Sequence, residues 1–171
     1  MAQVTAEQVG WLPPEPSRDE TPAGVLTIEV HGIPVPQGSL RAFANKKTGV
    51  PIVTSDNTRT KPWKAAVTAE ASEAVARASQ AEPAFGREPV GVSIVFRLPR
   101  PKGHHGRHGG LLPSAPKYPA GLPDLDKLAR AVLDALTGIV WRDDAQVVAL
   151  DVYKRYAGDE LVTTIEVSAA R

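Results

Sequence analysis

In the stretch VLTIEVHG, residues 25–32, Leu26, Ile28 and Val30 alternate with Thr27 and Glu29, and Gly32 follows. A period of two predicts a half-buried strand. The next stretch, IPVPQGSLRAFANKKTGVPIVT, carries prolines that bar a regular central strand. It predicts an extended arm, or an edge hairpin turning near Lys47–Gly49. From about Lys61 to Gln80 the pattern becomes helical, with Pro62 suited to the first turn. PVGVSIVFRLPRP, residues 89–101, then places Val90, Val92, Ile94, Phe96 and Leu98 on one face of a strand. Residues 99–123 hold six prolines and five glycines and predict a loop whose length points to function or disorder.

A second helical pattern fills 124–137. On a wheel of about 100° per residue, Leu125, Leu128, Ala129, Val132, Leu133 and Leu136 share one face, and Asp126, Lys127, Arg130 and Asp134 the other. Gly138 stands at a C′ position, where glycine commonly ends a helix. Alternation returns from Gln146 to Tyr156 and from Leu161 to Ser168, which predicts a hairpin turning at 157–160. Residues 1–23 are rich in proline and charge without periodicity and read as a flexible tail. The expected architecture is one α+β domain, residues 24–171, with a mixed β-sheet and two main helices packed on one face.

A chain of 171 residues, 42% of them apolar, suffices for one domain with a real core. The absence of cysteine excludes a disulfide framework, a thiolate zinc site and a cysteine nucleophile. No apolar run nears the roughly 20 residues of a membrane span. The opening MAQVTAEQVGWLPPEPSRDE lacks the basic and apolar regions of a secretory signal, so a cytoplasmic protein is expected. The net charge of +1 averages unlike regions. Residues 1–30 carry five acids against one base; Gly38 to Lys64 carry six bases against Asp56; Arg97 to Lys117 carry five bases and no acid. Such a bipolar surface suits a polyanion held by basic loops and acted on at a cluster of acids.

Those acids lie in PDLDKLARAVLDALTGIVWRDDAQV, residues 123–147. Asp124 and Asp126 open the helix, Asp134 lies within it, and Asp143 and Asp144 precede the next strand. Each has an ordinary reading. Asp124 suits an N-cap and the positive end of the helix dipole. Asp126, Arg130 and Asp134 could form a salt-bridged surface ladder, and Arg142-Asp143-Asp144 a turn. Taken together they fit a Mg²⁺ site, because magnesium takes hard oxygen ligands, often one or two carboxylates with waters and substrate phosphates. Asp124 and Asp126 could share one ion and a third acid complete it. Arg130, one turn in, could stabilise charge developing on a phosphorane.

The same run resembles the signature of the RusA family, the Holliday junction resolvases (crossover junction endodeoxyribonucleases) common in phages and prophages. That signature reads PDLDN-L-x-K-x-x-x-DAL, then W-x-DD-x-Q-V and a strand with a basic residue, here Lys154 in DVYKRY. HGIPVPQGSLRAF is similar to the family's opening strand and G-x-P-x-P turn, so the resemblance spans about residues 25–168. It implies a homodimeric, Mg²⁺-dependent endonuclease that resolves branched DNA by paired symmetric nicks in recombination and repair, in the host cytoplasm if phage-encoded. Asp124, Asp126 and Asp144 match the metal-ligand and catalytic acids, with Asp143 as the alternative to Asp144. Arg130 falls where the family usually has a catalytic lysine, and Lys127 where it has asparagine. Arginine keeps the charge but does not give up its proton. An electrostatic role is therefore open to Arg130 and a proton-donor role is not. If the latter is needed, the chain would be a catalytically impaired junction-binding protein. A phosphohydrolase of small nucleotides is a third reading, and the lack of a G-x-x-x-x-G-K-[ST] cradle counts against it.

Branched DNA would be held by cations: Arg41, Lys46 and Lys47 in the arm, Lys61 and Lys64 at the first helix, Arg97, Arg100 and Lys102 by the long loop, with Lys127 and Lys154. Trp63 reads as a core or dimer contact before a base-stacking one. His104, His105 and His108 in GHHGRHGG suggest a metal site, but the surrounding glycines favour a mobile basic loop facing DNA.

Overall fold

The computed structural model describes residues 24–38, 40–44, 51–55, 58–78 and 84–170, with the backbone alone for 40–44 and 51–55. The strands are β1 (Val25–His31), β2 (Leu40–Ala44), β3 (Pro51–Ser55), β4 (Val90–Leu98), β5 (Val147–Tyr156) and β6 (Val162–Ala169). The helices are α1 (Thr60–Arg77) and α2 (Leu125–Leu136). Together they form the small α+β domain expected, with one four-stranded mixed sheet. The proline-flanked arm is the antiparallel hairpin β2–β3, from Leu40↔Ser55 to Ala44↔Pro51. Expectations for the tail, 1–23, lie outside the described residues. No helix among the described residues is long and apolar enough to cross a membrane.

The sheet order is β1-β6-β4-β5, which corrects the expected β5–β6 hairpin. Both strands pair with β4, β6 antiparallel and β5 parallel, and the connection between them bonds the end of β4 through Ala157 N–H to Leu98 O at 2.8 Å. The burial pattern explains the choice. β4 is the strand apolar enough for the centre: Val90, Val92, Ile94 and Phe96 face the helices, while Val95 is buried on the opposite face. β5 carries Val148, Leu150 and Asp151 exposed and takes the edge.

α1 and α2 lie on one face and close the core with Trp63, Val67, Val75, Leu128, Val132 and Leu136. Trp63 is thus a core residue. α2 has the boundaries its pattern predicts, with Asp124 at the N-cap, Thr137 at the C-cap and Gly138 beyond at φ +88°, a left-handed conformation that suits glycine. Thr68 Oγ1 donates to Ala135 O at 3.1 Å, and Lys64 Nζ meets Asp134 Oδ2 at 2.9 Å, fixing the two helices together. The extended segment after β1 runs between their starts: Thr60 Oγ1 donates to Pro36 O at 3.0 Å and Gln37 N–H to Lys127 O at 2.8 Å.

Candidate active site

Asp124 enters α2 with extended backbone, φ −67° and ψ 137°. An N-cap aspartate ordinarily accepts from first-turn amides. This one makes no such bond; its Oδ2 pairs with Lys127 Nζ at 2.9 Å, both side chains partly exposed. Asp126 in the first turn and Arg130 one turn on are exposed, and neither has a hydrogen bond or ion pair among the described residues. The expected Asp126–Arg130–Asp134 ladder does not form, because Asp134 reaches across to Lys64. A carboxylate pair therefore sits at the positive end of the helix dipole, with one member and the guanidinium a turn away unpaired among the described residues.

The two acids before β5 separate by role. Asp143 caps the 3₁₀ turn Asp144–Gln146: its Oδ1 accepts from Ala145 N–H at 2.9 Å. Gln146 Oε1 accepts from Arg142 N–H and Asp143 N–H at 2.9 and 3.2 Å, and Nε2 donates to Glu88 O at 2.8 Å. Asp144 is exposed, and its carboxylate makes no such bond among the described residues.

Asp144 does not join Asp124 and Asp126 within one chain. The twelve residues of α2 rise about 18 Å at 1.5 Å each. Asp144 lies near the C-terminal end, where Thr137 bridges Trp141. β5 then runs back toward the start of α2, and Lys154 near its end donates to Gly121 O at 2.8 Å and Pro123 O at 2.9 Å. No group of three or more His, Asp or Glu side chains placed to hold a metal occurs among the described residues.

The family model of the endodeoxyribonuclease RusA matches residues 32–168, from the end of β1 almost to the end of β6. The chain belongs to the RusA family. It is therefore an endodeoxyribonuclease, a hydrolase acting on DNA, of a family that acts on Holliday junctions. No curated protein matches it.

The candidate DNA contacts of this RusA-family chain fall into separate groups. Lys61 and Lys102 are exposed. Lys64 and Lys127 are engaged by Asp134 and Asp124. Arg97 Nη1 donates to Thr164 Oγ1 at 2.9 Å on the sheet face away from the helices. Arg100 Nη1 donates to Pro116 O at 2.9 Å and its guanidinium lies 4.0 Å from the centre of the Tyr156 ring. Lys154 is tied to the carbonyls ahead of Asp124, which makes it a structural anchor. Lys46, Lys47 and the side chain of Arg41 lie outside the described residues.

The long loop is internally bonded rather than loose. It holds a 3₁₀ turn at Lys102–His104, a bridge between His105 and Leu111, and a Leu112 N–H bond to His104 O at 3.0 Å. His104 meets Tyr156 edge-on, centroids 5.6 Å apart, and His105 Nδ1 lies 3.0 Å from Gly109 O. Between this loop, the segment after β1 and the start of α2 lies an open pocket of about 560 Å³ against Asp124 and Lys127. Gln37 and Tyr156 in its wall escaped sequence reasoning, since no local pattern marks either; only the fold brings them to Asp124.

Proposed function

We infer that the chain is a Mg²⁺-dependent, homodimeric Holliday junction resolvase that makes paired nicks in branched DNA during recombination and repair. The observation that carries this is the uncommitted pair Asp126 and Arg130, one helical turn apart beside Asp124, inside the family match. Asp124 and Asp126 suit a magnesium ion, which takes one or two carboxylates together with waters and phosphate oxygens. A bound ion of this kind polarises a phosphoryl oxygen and makes a water more nucleophilic. Arg130 stays charged and faces the phosphate as negative charge grows on it. Lys127 holds the Asp124 carboxylate in place, and Lys154 fixes the backbone that delivers it.

The sheet edge supports the homodimer. Among the described residues β5 is unpaired on one side, and Val148 and Leu150 on it are 62% and 43% exposed. An open edge with apolar side chains invites another strand. A twofold pairing of β5 with β5 of a second copy, centred at Leu150, sets position 144 of one chain opposite position 156 of the other. Asp144 would then arrive beside Lys154 and Asp124 of its partner, completing a three-acid set that one chain leaves divided.

A synthetic four-way junction incubated with the protein and Mg²⁺ should yield symmetric paired nicks. Asp126→Asn should abolish cutting while a gel shift still reports binding. No cleavage in Mg²⁺ or Mn²⁺ would return the chain to the role of a junction-binding protein.

A further inference from the structure

The pocket beside Asp124 has a chemistry of its own. Its volume of about 560 Å³ lies within the roughly 300–1,000 Å³ of small-ligand sites. Ile33, Leu98, Pro101, Pro119 and Tyr156 give it an apolar wall, and Asp124 and Lys127 close it on the side of the cutting site. A group seated here touches Asp124, and so, on the endonuclease reading, lies beside the bond being cut. Proline rings and a phenol ring match the flat face of a base, not a phosphate. Tyr156 is held for that role by Arg100 at 4.0 Å and by the edge contact of His104. The cations Arg59 and Lys127 in the lining complement the phosphates on either side of such a base.

Gln37 supplies the second observation. Its backbone N–H is fixed on Lys127 O at 2.8 Å, yet its Oε1 is buried without a hydrogen-bond partner. A buried acceptor with no donor is costly. A carboxamide offers both a donor and an acceptor and pairs with base edges. Rotation of the amide toward a base would satisfy the oxygen.

We propose that this pocket receives a nucleobase, unstacked from the branched DNA at the nucleotide adjoining the scissile phosphate, with Gln37 hydrogen-bonding its edge. The proposal rests on the endonuclease reading and adds a base-recognition subsite to it. A branch point favours such a site, because a base next to it is less costly to unstack than one within a duplex.

The test uses the full chain and four-way junctions carrying a single abasic residue at successive positions beside the cut. One position should lower the cutting rate by roughly tenfold or more, with little change elsewhere. 2-Aminopurine at that position should brighten when Asp126→Asn protein binds. The rise should disappear in the Asp126→Asn/Ile33→Phe double variant, which fills the pocket from an exposed position. Gln37→Leu should flatten the dependence of cutting rate on the base at that position while still cutting. Uniform rates across the abasic series overturn the proposal. A 2-aminopurine signal that survives Ile33→Phe overturns it equally. Both outcomes presuppose a junction that the native protein cuts, so they are distinct from failure of the endonuclease reading, in which no junction is cut at all.

Discussion

Asp124 and Asp126 stand two residues apart and have different surroundings. Asp124 is paired with Lys127 at 2.9 Å, whereas Asp126 has no partner among the described residues. Arg130 likewise has none among them, although an Asp126–Arg130 pair at i, i+4 would be an ordinary helix contact. A guanidinium left without a carboxylate is available to a phosphate, and its fixed charge suits stabilisation of a transition state. Arg130→Met is expected to lower kcat by about 10²–10³, the scale of losing one preorganised electrostatic contact. Arg130→Lys should recover most of that loss, since position and charge are what the reading requires. Single-turnover cleavage of a saturated junction measures both; a methionine variant cutting at the native rate would remove Arg130 from the site.

The start of α2 is held by an element distant in sequence. Lys154 donates two hydrogen bonds to the carbonyls of Gly121 and Pro123, and so ties the end of β5 to the residues that deliver Asp124. Lys154→Met should cost about 1–3 kcal/mol of stability, the range for leaving hydrogen-bonded groups unpaired, read as a lower urea midpoint. It should also lower kcat while leaving junction affinity unchanged. A phosphate-contacting lysine would instead weaken binding and reduce its salt dependence. The sequence displayed α2 itself clearly, because an apolar stripe, an N-cap aspartate and a C′ glycine are local signals. Lys154's partners and the Lys64–Asp134 contact were not legible, since they join residues some thirty and seventy positions apart. The separation of β5 from β6 is hidden in the sequence for a related reason. Alternation shows that a segment is a strand, but not that a third strand, β4, will lie between it and its neighbour in the chain. The free state of Asp144 and the capping role of Asp143 likewise depended on Gln146 and Glu88, which the RDD triplet alone does not reveal.

Across the whole molecule, the acids that the sequence places within 20 positions of one another are split between opposite ends of α2. In the proposed homodimer a second copy, paired along the edge strand β5, reunites them. Leu150→Lys together with Val148→Lys should give a monomer by sedimentation and lose cleavage, though Asp124, Asp126 and Arg130 are untouched. A sharper test needs no change at the interface. In the proposed homodimer every site draws on both chains, so Asp126→Asn and Asp144→Asn should each inactivate it. Mixed and allowed to exchange, they form heterodimers in which one site carries both substitutions and the other carries neither. That second site is built from Asp124 and Asp126 of the Asp144→Asn chain and Asp144 of the Asp126→Asn chain. The mixture should therefore recover nicking of one strand, without the paired incision that separates a junction into two duplexes. If all three acids instead served one site within a single chain, every site in the mixture would stay defective. Denaturing gels would then show no nicked strand at any mixing ratio.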